Sequence, residues 1–398
     1  MKINALLFLL LLFVQTFHLT LSDVGFNYAL ALQKHPLDTQ KASHILKNFF
    51  PKVTKAKLFG SSPNDIANMK ALFDNGMKEV TLAITQHELW DGNQTHIDSN
   101  YASHFVQTVI LPNLPNLPNL PRRIHIAIGN EPFASWHQTP PMILLNAYET
   151  IRQALIDQNI KNQVSMTVPF QFGILENTYP PTAATIVPKY QTVISKLLEY
   201  MIEDDDYFDI NIYPYFAYRD NTHVIPLEYA LGTSPIVASD GITYQSLLHA
   251  MYSAAQSAIA KIQPHFKNIV IGETGWPTED TPFPTESNPY PVSFSFANND
   301  NAKTFIQQAI QLDIPMYLFE AFDESLKSQD NGAGGQFSNV ENHWGIFTES
   351  GQLKFDILEL QDQSNSYMFM SNMITNVLKA SIFVLPASTT ALYLFHFI

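Results

Sequence analysis

Asn268-Ile269-Val270-Ile271-Gly272-Glu273-Thr274-Gly275-Trp276-Pro277 reads as a buried strand that delivers one carboxylate to its C-terminal end. Three β-branched apolar residues run into Gly272 and Glu273, and Gly275 and Pro277 then stop the extended chain. A buried carboxylate is costly unless paired, so stability is a poor reason for Glu273 to stand there and chemistry a better one. The same order recurs in Arg123-Ile124-His125-Ile126-Ala127-Ile128-Gly129-Asn130-Glu131-Pro132. Two glutamates, each carried out of a strand just after a glycine, predict a carboxylate pair.

Outward from these two stretches the chain alternates. Apolar extended runs are expected at 23–30, 55–59, 79–84, 123–131, 163–168, 209–216, 268–274 and 315–322. Helical periodicity is expected at 38–50, 63–75, 98–110, 142–159, 189–202, 244–262 and 298–312. Eight strands alternating with helices, with no second composition regime before about residue 357, predict a (β/α)₈ TIM barrel. Such barrels carry their active sites at the strands' C-terminal ends, where Glu131 on the fourth and Glu273 on the seventh strand would face each other. An open doubly wound sheet is the runner-up, but no glycine-rich phosphate loop follows the first strand. Residues 111–121 repeat Leu-Pro-Asn three times and end in Leu-Pro; proline at every third place predicts a polyproline-like surface connector.

With 398 residues, 46% hydrophobic, the chain is long enough for one large core. A net charge of −14 argues against nucleic acid as a partner and for a neutral or cationic substrate. The absence of Cys excludes disulfides, zinc–thiolate sites and thiol nucleophiles. Residues 1–22 read as a signal peptide: Lys2 is followed by an apolar run from Ala5 to Val14, too short to span a bilayer, and by small residues at Thr20 and Ser22. Residues 23–357 then form the catalytic barrel of a secreted or cell-surface protein, expected to be a monomer. Asn93-Gln94-Thr95 is a candidate glycan acceptor. Residues 358–398 form a tail: Ser364-Asn365-Ser366, a spacer and the apolar 380–398 are similar to a removed lipid-anchor signal, with a retained membrane anchor or a packed extension as alternatives.

Two carboxylates flanking one bond are what glycoside hydrolysis needs, one to protonate the leaving oxygen and one to attack the sugar or activate water. Asn130 stands ready for a sugar hydroxyl. Tyr28, Tyr213, Tyr215, Phe216 and Trp276, at strand ends, would stack on pyranose faces, with core packing as the alternative for each. From roughly Val24 to Ile357 the chain resembles glycoside hydrolase family 17, the 1,3-β-glucanases. The resemblance is carried by Gly129-Asn130-Glu131, by Asn211-Ile212-Tyr213-Pro214-Tyr215-Phe216-Ala217-Tyr218-Arg219-Asp220-Asn221, by Gly272-Glu273-Thr274-Gly275-Trp276-Pro277, by Phe322-Asp323-Glu324-Ser325-Leu326-Lys327, and by Trp344-Gly345-Ile346-Phe347 with Leu353-Lys354-Phe355-Asp356. The last pair looks like the family's closing strand and final helix. The resemblance implies endo-acting hydrolysis of 1,3-β-glucan, polymer or oligosaccharide, with retention, Glu131 as acid/base and Glu273 as nucleophile. It also implies a polar shell of Glu324, Lys327 and Glu341. Phe59 stands where the family's plant members often have Tyr. A transglycosylase on the same site, or a glucan-binding protein without turnover, are the alternatives.

No metal or cofactor is expected. The thirteen His form no His-Glu-x-x-His array, His87, His125 and His343 read as loop or core groups, and no Gly-x-Ser-x-Gly elbow supports a serine triad. The acidic run 203–206 reads as a solvated turn, with calcium binding as its alternative.

Overall fold

The computed structural model describes residues 23–114, 123–285, 287–288, 291–329 and 338–357. The expected leader, most of the Leu-Pro-Asn repeat and the tail lie outside the described residues.

Nine parallel strands form a nearly closed barrel. They are β1 (Val24–Asn27), β2 (Lys55–Lys57), β3 (Glu79–Ile84), β4 (Arg123–Ile128), β5 (Val164–Thr167), β6 (Pro169–Gln171), β7 (Phe208–Asn211), β8 (Ile269–Thr274) and β9 (Met316–Leu318). Their order is β5-β4-β3-β2-β1-β9-β8-β7-β6. Only Val168 separates β5 from β6, so the two are halves of one strand: the first pairs with β4 and the second with β7. The ring therefore has the eight positions that the alternation predicts.

Period-two alternation assigns the faces. Lys55 pairs with Glu79, and Lys57 and His125 each pair with Thr81, so these polar residues share one face. Lys57 reaches Asp209 on β7 at 3.2 Å, four strands away, which makes that face the barrel interior. Phe26, Ala56, Val80, Ile124, Ile126, Phe208 and Ile210, all fully buried, belong to the continuous apolar core.

The longer helices are α1 (Thr39–Phe49), α2 (Pro63–Asp74), α3 (Ser99–Phe105), α4 (Pro141–Asp157), α5 (Pro188–Asp204), α6 (Leu247–Ile262) and α7 (Asn299–Ala309). Their starts follow local chemistry: Ser62 and Asp65 form a capping box around Pro63, and Asp38, Asp98, Ser246 and Asn298 cap four others. Among the described residues, no helix is long and apolar enough to cross a membrane.

Three expectations are corrected. Leu111–Asn113, the first triplet of the repeat, is a 3₁₀ turn continuing from α3 through Val106–Ile110; Pro112 fits there because the start of a helical turn needs no N–H from it. The strand expected over 209–216 ends at Asn211, and Pro214 opens a short helix, Pro214–Arg219. Residues 353–357 are not helical; Phe347 instead bridges Phe322 and Leu353.

Candidate active site

Glu131 and Glu273 reach the same end of the barrel by different local devices. After β4 the chain turns through Gly129 (φ 68°) and Glu131 itself (φ 50°). A Cβ at Gly129 would lie 2.6 Å from the Leu89 side chain and 2.8 Å from Gln86 Oε1, so the turn needs glycine on two counts. The Glu131 N–H donates to the Pro169 carbonyl at 2.8 Å, tying the turn to β6. On β8 the pairing register shifts between Ile271 and Glu273, a bulge at Gly272 that brings Glu273 opposite Asn211 on β7. A Cβ at Gly272 would lie 1.6 Å from Asp209 Oδ1, so only glycine lets the strand pass this close.

Asn211, the register partner of Glu273, holds the other carboxylate. Its Nδ2 donates to Glu131 Oε1 at 3.0 Å and lies 3.5 Å from Asn130 Oδ1. Strand β7 thus lies beside Glu273 in register and bonds Glu131 through one side chain. Glu273 is nearly inaccessible, 5% exposed. Its Oε2 accepts from the Tyr213 hydroxyl at 2.8 Å and its Oε1 lies 4.0 Å from Lys57 Nζ. Burial, reinforced by the charge of Glu273, pushes the Glu131 carboxyl up to about 7, against the opposing Asn211 hydrogen bond and Lys57 charge. Glu131 is thereby held protonated into the neutral range.

A second polar group flanks Glu273. Lys327 Nζ pairs with Glu324 at 3.0 Å and with the buried Glu320 at 3.4 Å, and stands over the Phe319 ring at 4.2 Å and the Phe59 ring at 5.8 Å. Burial works against the Lys327 charge, but Glu320, Glu324 and Glu341 outweigh it and raise its pKa. Burial pushes the Glu341 carboxyl up to about 7, with Lys327 opposing and the charge of Glu273 adding. Tyr213, Phe216, Phe319 and Trp344 form one aromatic wall, with Tyr213 edge-on to Trp344 at 5.1 Å.

Of the residues singled out from sequence, Glu131, Glu273, Asn130, Tyr213, Glu324, Lys327 and Glu341 therefore come together. Phe216 is partly buried on the same wall, one face covered by Arg219 at 4.9 Å. Three aromatics are corrected. Trp276 is 1% exposed: its Nε1 donates to the Phe296 carbonyl at 2.8 Å and its rings pack on Tyr215 and Phe305. Tyr215 is fully buried and donates to Asp280 at 2.7 Å, because its helix points it into the core. Tyr28 is fully buried edge-on to Phe322. None of these three offers a face to a sugar ring.

Asn27, Lys57, Asp209, Asn211 and Glu320 are the polar residues that sequence reasoning passed over. The available signal was a charge or amide at alternate positions of an otherwise apolar strand, as in Lys55-Ala56-Lys57 and Asp209-Ile210-Asn211. The acidic run is drawn into ion pairs: Arg152 holds Glu203 and Asp204, Lys161 holds Asp204 and Asp206, and Asp205 is the left-handed cap of α5. Among the described residues no group of three or more His, Asp or Glu is placed to hold a metal ion.

The family described as Glycosyl hydrolases family 17 matches residues 24–358. The chain is 26% identical to the basic isoform of glucan endo-1,3-β-glucosidase from Phaseolus vulgaris, over 83% of this chain and 90% of that relative. It is also 26% identical to glucan endo-1,3-β-glucosidase 14 from Arabidopsis thaliana, over 88% of this chain and 85% of the relative. A β-1,3-glucanase and allergen of Cryptomeria japonica pollen has a similar structure: the TM-score is 0.70 at 23% identity, with 84% of this chain and 98% of that one covered.

Proposed function

The chain belongs to glycosyl hydrolases family 17, and on that premise we propose that it cleaves internal 1,3-β-D-glucosidic linkages of β-glucans with retention of configuration. In this reading Glu131 protonates the leaving glycosidic oxygen while Glu273 attacks the anomeric carbon. Forming the glycosyl–enzyme ester removes the Glu273 charge, Glu131 is then free to ionise, and it takes a proton from the water that releases the sugar. The observation that carries the reading is the asymmetry of the pair. Glu131 is held protonated by burial and by its neighbour's charge, while Glu273 is met by the Tyr213 hydroxyl and the Lys57 ammonium. The relatives' names support the choice of substrate. Asn130, Tyr213, Phe216, Glu324, Lys327 and Glu341 would line the sugar site. Residues 1–22 would direct export, 23–357 would be the secreted catalytic unit, acting as a monomer, and 358–398 would be a tail that is either processed near Ser364-Asn365-Ser366 with addition of a lipid anchor or kept as a membrane anchor or packed extension. Mass measurement of the mature protein tests both ends; a chain ending at Ile398 would exclude the removed-signal reading.

The roles are tested by azide. With an activated aryl glucoside, Glu131→Ala should regain turnover in azide and yield the β-glucosyl azide, because the covalent intermediate still forms on Glu273. Any rescue of Glu273→Ala should yield the α product by direct displacement. The opposite pairing of products would reverse the assignment, and hydrolysis of 1,3-β-glucan by both variants at wild-type rates would end it.

A further inference from the structure

Lys57 and Asp209 face each other across the barrel. Their strands lie four apart in the ring, on opposite walls, and the side chains are 2% and 0% exposed, with Lys57 Nζ 3.2 Å from Asp209 Oδ2. A buried pair of this kind is weak support for stability, since replacing both partners by neutral groups is often harmless. Its position gives it another use. Lys57 Nζ also lies 3.4 Å from the Gly272 carbonyl and 4.0 Å from Glu273 Oε1, and Asn27 Nδ2 donates to the same carbonyl at 3.1 Å. Asp209 in turn packs against Gly272, leaving no room for a Cβ. One ammonium thus stands between two carboxylates, and the peptide that carries Glu273 is gripped from β1, β2 and β7.

We propose that Lys57 is a positioning residue that holds the Glu273 carboxylate aimed by its charge and by its grip on the Gly272 carbonyl, and that Asp209 anchors the ammonium in the place where it does so; this rests on the reading of Glu273 as nucleophile. Every other charged or titratable group facing Glu273 works differently. Tyr213 donates a neutral hydroxyl, Glu131 and Glu341 are acids that burial pushes up, and Asp209 is an acid pushed up by burial and pulled back by Lys57. On the β3 side, Thr81 is the uncharged register partner of Lys57. Among the described residues Lys57 is therefore the cation within ion-pair reach of Glu273, while Lys327 is committed to Glu320 and Glu324.

The test compares wild type, Lys57→Met, Asp209→Asn and the double variant, with Glu273→Ala as the inactive baseline. Readouts are kcat, KM, the acidic limb of kcat/KM and thermal unfolding. The acidic limb of Lys57→Met should move up, because the cation beside the nucleophile is gone, with kcat lowered at least about tenfold and KM near wild type. Lys57→Met alone leaves Asp209 buried without its partner and can fail to fold. The double variant removes both charges, should fold, and should keep the raised limb and lowered kcat. Asp209→Asn is isosteric and leaves Glu273 as the remaining carboxylate partner of Lys57, so its limb should move down. If Asp209→Asn leaves the limb in place, or the double variant has the wild-type limb and kcat, the pair is only scaffold and the proposal is overturned. Turnover by Glu273→Ala would instead overturn the nucleophile reading beneath it.

Discussion

Replacing Glu131 by Gln should make the protein more stable as well as inactive on unactivated glucans, and the gain should depend on pH in a defined way. Burial and the Glu273 charge raise the Glu131 carboxyl from 4.5 to about 7. Between those values the folded protein holds a proton that the unfolded chain has lost, so wild-type stability falls as pH rises through that window. At 1.36 kcal/mol per pH unit, the fall attributable to Glu131 is roughly 3 kcal/mol, complete above about pH 7. Gln has no proton to hold, so the stability of the variant relative to wild type should grow by that amount from about pH 4.5 to about pH 7 and then level. Glu341 is also pushed up to about 7 and is present in both proteins; its charge is one of the smaller causes of the Glu131 shift, after burial and the charge of Glu273. The difference between the two proteins therefore reports chiefly on Glu131 and on the carboxylates it faces. Urea unfolding across this range measures it, and the basic limb of wild-type kcat/KM on a 1,3-β-glucan oligosaccharide should fall near pH 7. A flat difference curve would refute the argument, since it would mean that Glu131 is not held protonated by its surroundings.

Three further outcomes are expected. Trp276→Ala should lose about 3–5 kcal/mol of stability while the folded fraction still binds glucan oligosaccharides, as melting and titration calorimetry would show; weakened binding without destabilisation would restore the sugar-platform reading. Tyr213→Phe removes the hydroxyl on Glu273 Oε2, a charge-assisted bond worth about 1.5–3 kcal/mol, so kcat should fall about 10- to 100-fold with little change in KM; an unchanged kcat would make Tyr213 a wall residue only. Gly272→Ala should abolish folding because its Cβ meets Asp209 Oδ1, and adding Asp209→Ala should recover soluble protein; a well-folded single variant would show that β8 can yield.

The barrel and its two glutamates were legible because both signals are local. Apolar strands alternate with amphipathic helices within short windows, and a glycine followed within two residues by a glutamate, after a run such as Ile124 to Ile128, marks a strand end that presents a carboxylate. The strand expected through Phe216 overran because Ile212, Tyr213, Tyr215 and Phe216 favour extended chain, whereas Pro214 in a first turn starts a helix. That misplaced end is why Tyr215 was taken for a sugar platform. Trp276 misled for a related reason: its nearness to Glu273 in sequence says nothing of direction, and beyond Thr274 its ring turns into the core and bonds the Phe296 carbonyl. Alternation within their own strands marks Lys57 and Asp209 singly, but nothing short-range says that they meet. Their relation exists only through closure of the ring, and an aliphatic barrel interior, the usual expectation, hides it.

The ring closes through β6 on β7 and β1 on β9, and between β6 and β7 the chain passes through a small hairpin, Leu175–Glu176 with Thr185–Ile186, whose tip leaves Tyr179 71% exposed. A polypeptide divided at that tip would become two pieces with complementary halves of the chemistry. The first would hold Lys57 and Glu131, the second Asp209, Asn211 and Glu273. Neither piece could cleave a glucan alone, so co-expressed fragments would announce their reunion by hydrolysis, and the barrel could serve as a split reporter whose signal is its own reassembly.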